Sequence, residues 1–445
     1  NGACTDGTMI GQQTKIGATR DARYAYELGR MSNKEAAAIG CNLSFAPVSD
    51  ILYNWENPVI GLRTYGNDVD RVCEMTKAYM DGAHTNEGFC CAAKHFPGDG
   101  LDFRDQHVAD SVNDMSCEEW DASYGKVYQN LIDNGLEAIM AGHIMQPAYT
   151  RHFNPGIKDE DIMPATLSPE LIEGLLRGKL GFNGMVLTDA SHMVGLTCCM
   201  KRSEMLPHTI AAGVDMFLFF NEMDEDFASM MAGYENGIIT EERLNDALHR
   251  ILGLKAALNL HIHKKEGTLM PPKEGLSVVG CPEHHQIAAQ IADQYVTLVK
   301  DREKDYTEAR KALSSLQNAK QELEALNRKL SDCGRALPAE QMPDAIEQLP
   351  EQLEEAGFEV DAEEPVLKGK MEEFKKRFDA VLLILSVEGF AQYNVMRVKW
   401  NLPIKQPWYM SEVPTIVASL TYPNMLIDVP MARCYANAYM NHTEA

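Results

Sequence analysis

Apolar residues in the first part of the chain come in short runs separated by longer amphipathic stretches, a rhythm that predicts strands and helices alternating around a parallel sheet. The runs predict strands over 42–48, 89–95, 138–143, 185–189 and 214–220. Helical spacing predicts helices around 18–40 and 116–134, and a closing helix over 240–258. In the last of these, Leu244, Leu248, Ile251, Leu252 and Leu254 fall on a helical period, Thr240 can cap, and Glu241 and Glu242 suit the positive end of the helix dipole.

Beyond this rhythm, 263–282 is polar and carries Lys, Gly and Pro, so it reads as a linker between a domain at 1–262 and a second at 283–445. In the second part, 295–300, 380–386 and 415–419 predict buried strands of another α/β domain, and 301–331 predicts a long charged helix. Ala309, Leu313, Leu316, Leu323 and Leu330 lie near heptad spacing there, but Lys320 and Asn327 interrupt the seam. A surface helix is therefore expected rather than a coiled-coil dimer; a homodimer built on other surfaces stays open.

Composition narrows the function. The chain has 41 Lys and Arg against 65 Asp and Glu, a net charge of -24, which argues against nucleic acid or an anionic membrane as partner. No run of 18 apolar residues occurs, so no membrane-spanning helix is expected. Eleven cysteines are scattered without a C-x-x-C spacing, the pattern of reduced thiols in a cytoplasmic protein, and neither a metal nor an organic cofactor is expected. The chain opens on Asn1 rather than Met, which leaves a signal peptide open.

The chemistry concentrates at predicted strand ends. Residues 94–107, KHFPGDGLDFRDQH, place Lys94 and His95 at the end of an apolar run, followed by a Pro-Gly turn and a loop bearing Asp105 and His107. Asp50, His143, Asp189 and Asp215 sit at or within other apolar runs, and polar groups gathered at one end of a sheet are the usual setting for catalysis. Asp189 closes the run Met185, Val186, Leu187, Thr188 and precedes a small residue, which suits an exposed nucleophilic carboxylate; capping the next helix is its structural alternative. Asp105 and His107 can form a dyad in which the carboxylate fixes the imidazole tautomer, although a lone D-x-H carries little information.

The stretches GCNLSFAPVSDI, NPVIGLRTYGN, AAKHFPGDG with the D-x-H that follows, IMAGHI, GFNGMVLTDASHM and AGVDMFLFF together resemble glycoside hydrolase family 3, in its β-N-acetylhexosaminidase branch. The resemblance implies a (β/α)8-type TIM barrel over 1–262 followed by the family's second α/β sandwich domain. It also implies that strands at the start of the barrel lie upstream of Asn1 and that the second domain continues beyond Ala445. The implied activity is a retaining exo-β-N-acetylhexosaminidase acting on carbohydrate, with Asp189 as nucleophile, His107 as acid/base and Asp105 orienting it. Arg63, Lys94 and His95 match sugar-binding positions, and Asp50 and His143 are near-site candidates that either touch the sugar or support those that do. A β-glucosidase, a glycoside phosphorylase and an inactive sugar-binding relative are the alternatives.

Overall fold

The computed structural model describes residues 6–300, 371–378, 380–385, 409, 413–419, 429, 432 and 434–437, in two compact units that divide between Val296 and Thr297. In the first unit β1 (Leu43–Ser44), β2 (Cys90–Phe96), β4 (Ala138–Ala141), β6 (Met185–Ala190) and β7 (Met216–Leu218) lie side by side in chain order. Every neighbouring pair is parallel. The short strands β3 (Ser111–Val112) and β5 (Ile144–Met145) form a separate parallel ribbon beyond the ends of β2 and β4.

Parallel strands need crossovers, and helices Val69–Ala83, Lys126–Asp133, Glu170–Lys179 and Arg202–Ala211 supply them in turn. Ser116 starts the second crossover with a capping box, its hydroxyl accepting from Glu119 N while the Glu119 carboxylate accepts from Ser116 N. Thr240 caps helix Glu241–Ala257 through Arg243 N, as its sequence predicts.

Because side chains alternate along a strand, Ala92, Ala138, Met140, Met185 and Leu187 form one buried apolar cluster across the sheet. Ile251 and Leu254 of the closing helix pack on that cluster. The same period continues the Ala92 column into Lys94 and the Met185–Leu187 column into Asp189, so the apolar stripe ends in charge at the carboxyl edge of the sheet.

Helices Ala22–Ala38 and Val69–Ala83 cross in direct backbone contact: a Cβ on Gly29 would lie 2.0 Å from Tyr79 O, and one on Gly82 2.0 Å from Tyr26 O. The helix expected over 18–40 is two helices, Gln13–Thr19 and Ala22–Ala38. Arg20 adopts a left-handed conformation between them, and the Asp21 carboxylate caps the second through Arg23 N.

The stretch expected as a linker also carries structure. Helices Leu260–Glu266 and Lys273–Val278 occupy much of it, and Pro282–Tyr295 packs against Gln13–Thr19 within the first unit. Buried Glu35 ties this region together, accepting from Thr8 N at 2.9 Å, Thr8 Oγ1 at 2.5 Å and Gly280 N at 3.3 Å, and pairing with His284 Nδ1 at 2.6 Å.

In the second unit, β8 (Thr297–Lys300), β9 (Val381–Leu385), β10 (Thr415–Ser419) and β11 (Cys434–Asn437) form a sheet in the order β8-β11-β10-β9. It is parallel except for β8, which runs against β11. The Phe374 ring of helix Met371–Arg377 stacks on Tyr409 at 4.6 Å. The long helix expected over 301–331 lies outside the described residues. Among the described residues no helix is long and apolar enough to cross a membrane.

Candidate active site

Lys94, His95 and Asp189 stand at the carboxyl ends of β2 and β6, with Asp50 and Arg63 on the segment that follows β1. Consecutive residues of a strand normally face opposite ways, yet Lys94 and His95 both serve one site. The register accounts for it: Lys94 pairs with Met140 and Phe96 with Ala141, so β2 has one residue more than β4, and a bulge of this kind re-aims a side chain.

His95 is held from behind. Its Nδ1 lies 2.7 Å from Asp50 Oδ2, while Asp50 Oδ1 accepts from His95 N at 3.1 Å and Asp99 N at 2.8 Å. The carboxylate makes Nδ1 the protonated nitrogen and leaves Nε2 facing the site, 3.4 Å from Arg63 NH2 and 3.7 Å from Asp189 Oδ2. Burial, reinforced by the Arg63 charge, pushes the His95 imidazolium well below its ordinary range, so this ring is neutral. Burial likewise pushes Asp50 up to about 6, against the pull of the two N–H groups it accepts from.

Asp189 has one oxygen engaged and one open. Oδ1 accepts from Ala190 N at 2.8 Å, and Oδ2 has no hydrogen-bond partner among the described residues. Burial works against its charge, but the imidazole rings of His95 and His143, the Lys94 ammonium and the Ala190 N–H together outweigh burial and hold the carboxyl below the usual range. The alternative of a helix cap does not apply: the next helix is Val194–Thr197, its cap position is Met193, and no side chain caps it. Lys94 is half-buried, and burial together with the Arg63 charge lowers its ammonium to about 8.

The dyad is formed. His107 Nδ1 lies 2.6 Å from Asp105 Oδ1, which also accepts from His107 N at 2.8 Å, so Nε2 is the free nitrogen. The Asp105 hydrogen bond raises the His107 pKa; burial opposes it, and the charges of Asp105 and Asp189 add to it. The dyad loop rests on the segment after Asp189, where Val194 N donates to His107 O at 3.1 Å and Gly195 N to Gln106 O at 3.0 Å.

Exposure sorts these groups. The side chains of Asp189 and His107 are 18% and 31% exposed, whereas those of Asp50, Asp105 and His95 are 0%, 0% and 3%. The two with room to meet a ligand are the two with a free reactive atom. His143 is sealed as well, with Nδ1 2.8 Å from Thr166 Oγ1 and Nε2 3.0 Å from Ala190 O. Burial lowers its pKa, so the neutral ring carries its proton on Nε2 and donates to the peptide beside Asp189.

Asp215 lies elsewhere. It precedes β7 at the amino end of the sheet, where Val186 N donates to it at 2.9 Å and Arg177, Arg243 and Arg250 surround it. It is a structural ion-pair centre at the opposite end from Asp189. Asp99 went unread in the sequence: buried between Asn57 Nδ2 at 2.8 Å and Gln106 Nε2 at 3.0 Å, it is pushed up to about 7 by burial and by the nearby Asp50. The Pro-Gly turn before it is fixed by Trp120 Nε1 on Pro97 O at 2.7 Å and Asn113 Nδ2 on Gly98 O at 3.0 Å.

Charged strand ends, a free carboxylate and an Asp–His dyad thus gather at the carboxyl edge of a parallel sheet, where barrel-type α/β domains carry their sites. Residues 2–254 match the glycosyl hydrolase family 3 N-terminal domain, and the chain belongs to glycoside hydrolase family 3. It is 38% identical over 441 residues to a β-N-acetylglucosaminidase/β-glucosidase of Cellulomonas fimi, covering 98% of this chain and 76% of that one. A β-hexosaminidase of Methylobacillus flagellatus is 32% identical over 207 residues, 46% of this chain and 56% of its own length. Among solved structures, the β-glucoside phosphorylase BglX superposes with a TM-score of 0.84 at 36% identity, covering 98% of this chain and 76% of that one. A family 3 β-N-acetylglucosaminidase from a Paenibacillus species shares the fold, with a TM-score of 0.72 at 24% identity over 98% of this chain and 78% of that one. The chain is thus a family 3 glycosidase with a TIM-type α/β domain followed by a second α/β domain.

Proposed function

We propose that the chain is a retaining exo-β-N-acetylhexosaminidase, and that the observation carrying this reading is the pairing of a free Asp189 Oδ2 with a free His107 Nε2 on elements tied together by hydrogen bonds. Asp189 Oδ2 attacks the anomeric carbon as the bond to the leaving oxygen breaks, and the proton on His107 Nε2 passes to that oxygen. A glycosyl ester on Asp189 results. Water then attacks the same carbon, His107 Nε2 takes its proton, and Asp189 departs as a carboxylate. Throughout, Nδ1–H of His107 stays on Asp105, which stabilises the imidazolium form.

Arg63 and Lys94 are the donors for sugar hydroxyls, since Lys94 Nζ makes no hydrogen bond to a described residue and adjoins Asp189, while Arg63 NH2 lies 3.4 Å from His95 Nε2. In this reading Asp50 orients His95, and His143 holds the Ala190 carbonyl, so both act as positioning residues. Residues 2–254 belong to the catalytic domain in this reading, and the elements through Tyr295 pack with them.

A second reading, transfer to phosphate, is favoured by the similarity to a β-glucoside phosphorylase and by the use of an imidazole for proton work. A neutral imidazole does not repel an anionic acceptor as a carboxylate would. The test compares 4-nitrophenyl N-acetyl-β-glucosaminide with the matching β-glucoside, each with and without inorganic phosphate. Faster turnover of the N-acetyl substrate supports the proposal; preference for the glucoside, or a sugar 1-phosphate as main product, moves it to one of the alternatives.

A further inference from the structure

We propose that Gln106, the residue between the two members of the dyad, is the positioning residue that clamps the acid/base loop to the sheet and so keeps His107 within reach of the glycosidic oxygen. The inference rests on the proposed role of His107. Gln106 is fully buried, although its neighbours Phe103 and Val108 are 58% and 49% exposed. Its Oε1 accepts from His143 N at 2.8 Å, at the end of β4, and its Nε2 donates to Asp99 Oδ2 at 3.0 Å. A backbone N–H on one side and a carboxylate on the other fix which way the amide points.

One side chain therefore joins the dyad loop to the Asp99 turn and to β4, while its own carbonyl accepts from Gly195 N on the Asp189 side. Other ties of the loop are the backbone contacts to Val194 and Gly195 and, at its start, the bond from Asn57 Nδ2 to Asp102 O at 2.7 Å. Loops without such an anchor move on the ns–μs scale. A displacement of about 1 Å at a reacting group costs about 10²-fold in rate. Gly195 completes the clamp from the other side: a Cβ there would lie 2.9 Å from Gln106 O, 3.1 Å from Ala109 O and 3.2 Å from His143 Cβ, so only glycine lets the loop sit this close.

Two substitutions in the full chain test this with phenyl and 2,4-dinitrophenyl glycosides of the preferred sugar. Gln106→Ala removes the clamp; Gly195→Ala pushes the loop away with every clamping side chain intact, and carries the test alone if the first variant does not fold. Each is expected to lower kcat/KM, which reports the glycosylation step, on the phenyl glycoside by roughly 10–100-fold and on the dinitrophenyl glycoside by no more than about threefold, because in that step only the poor leaving group needs the proton. Gln106→Glu gives a pH signature: protonated, it offers the same donor and acceptor as Gln; ionised, it faces Asp99 with like charge. Its activity relative to the unsubstituted chain should rise as pH falls. Equal losses on both substrates, or a pH-independent ratio for Gln106→Glu, overturn the inference. If His107→Ala itself shows no difference between the two leaving groups, the reading of His107 fails instead.

Discussion

His95 Nε2 lies 3.7 Å from Asp189 Oδ2, while the opposite nitrogen of the same ring is held 2.7 Å from Asp50. The ring is thus a rigid spacer between a sealed carboxylate and an open one. It keeps Asp189 desolvated without taking up the oxygen that must react. Asp50→Ala is expected to release the ring and lower kcat by about 10-fold to 10²-fold with a smaller change in KM, because the group lost acts through geometry. Steady-state kinetics at fixed pH check this; an unchanged kcat counts against the spacer role.

Asp189→Asn keeps the shape of the side chain and removes its charge. The expected loss is roughly 10⁴-fold or more in kcat with little change in melting temperature, since the reacting oxygen bonds only weakly to the rest of the fold. Activity and thermal unfolding of one sample decide it.

His107 gives a pH limb whose sign follows from its environment. Hydrogen bonding to Asp105 raises its pKa, so the ring stays protonated to higher pH than an ordinary histidine. As a general acid it works in that protonated form. The rate of glycosylation should therefore fall as pH rises through a pKa above 6.5, and an NMR titration of the ring should give the same value. Asp105→Asn is expected to move both downward together. A ring pKa that moves while the kinetic limb stays in place would separate His107 from proton transfer.

Glu35 gives a prediction about stability alone. It satisfies Thr8 N, Thr8 Oγ1, Gly280 N and His284 Nδ1 within a buried cluster, and Glu35→Ala leaves all of them without it. The expected cost is about 2–4 kcal/mol by urea unfolding, without a change in leaving-group dependence. Glu35 is also held below the ordinary glutamate range: burial opposes this, and the Thr8 and His284 hydrogen bonds outweigh it. Its contribution is present above the unfolded pKa of about 4.3 and is lost as pH falls through the lower folded value.

Much of this was legible in the chain because strand periodicity is a local signal. Met185, Leu187 and Asp189 share a strand face by simple alternation, and the cap at Thr240 was visible from its neighbours. Asp215 looked like Asp189 in kind, an acid within an apolar run, but lies at the amino end of its strand. Only the tertiary partners Arg177, Arg243 and Arg250 reveal its structural role. The bulge that brings His95 round beside Lys94 depends on the register against β4, which a single strand does not encode. Glu35 and His284 are 249 positions apart, and nothing local marks them as partners. Gln106 was read only as the spacer of a D-x-H, since a buried amide shows its value through what it joins.

The most direct test is to trap the glycosyl-enzyme. Incubation with 2,4-dinitrophenyl 2-acetamido-2-deoxy-5-fluoro-β-glucoside, which keeps the acetamido group, then digestion and mass spectrometry of the peptides should place one fluorosugar on Asp189, with release of one equivalent of dinitrophenol. A fluorosugar on any other residue, or a dinitrophenol burst with no labelled peptide in an otherwise active chain, would contradict Asp189 as the nucleophile.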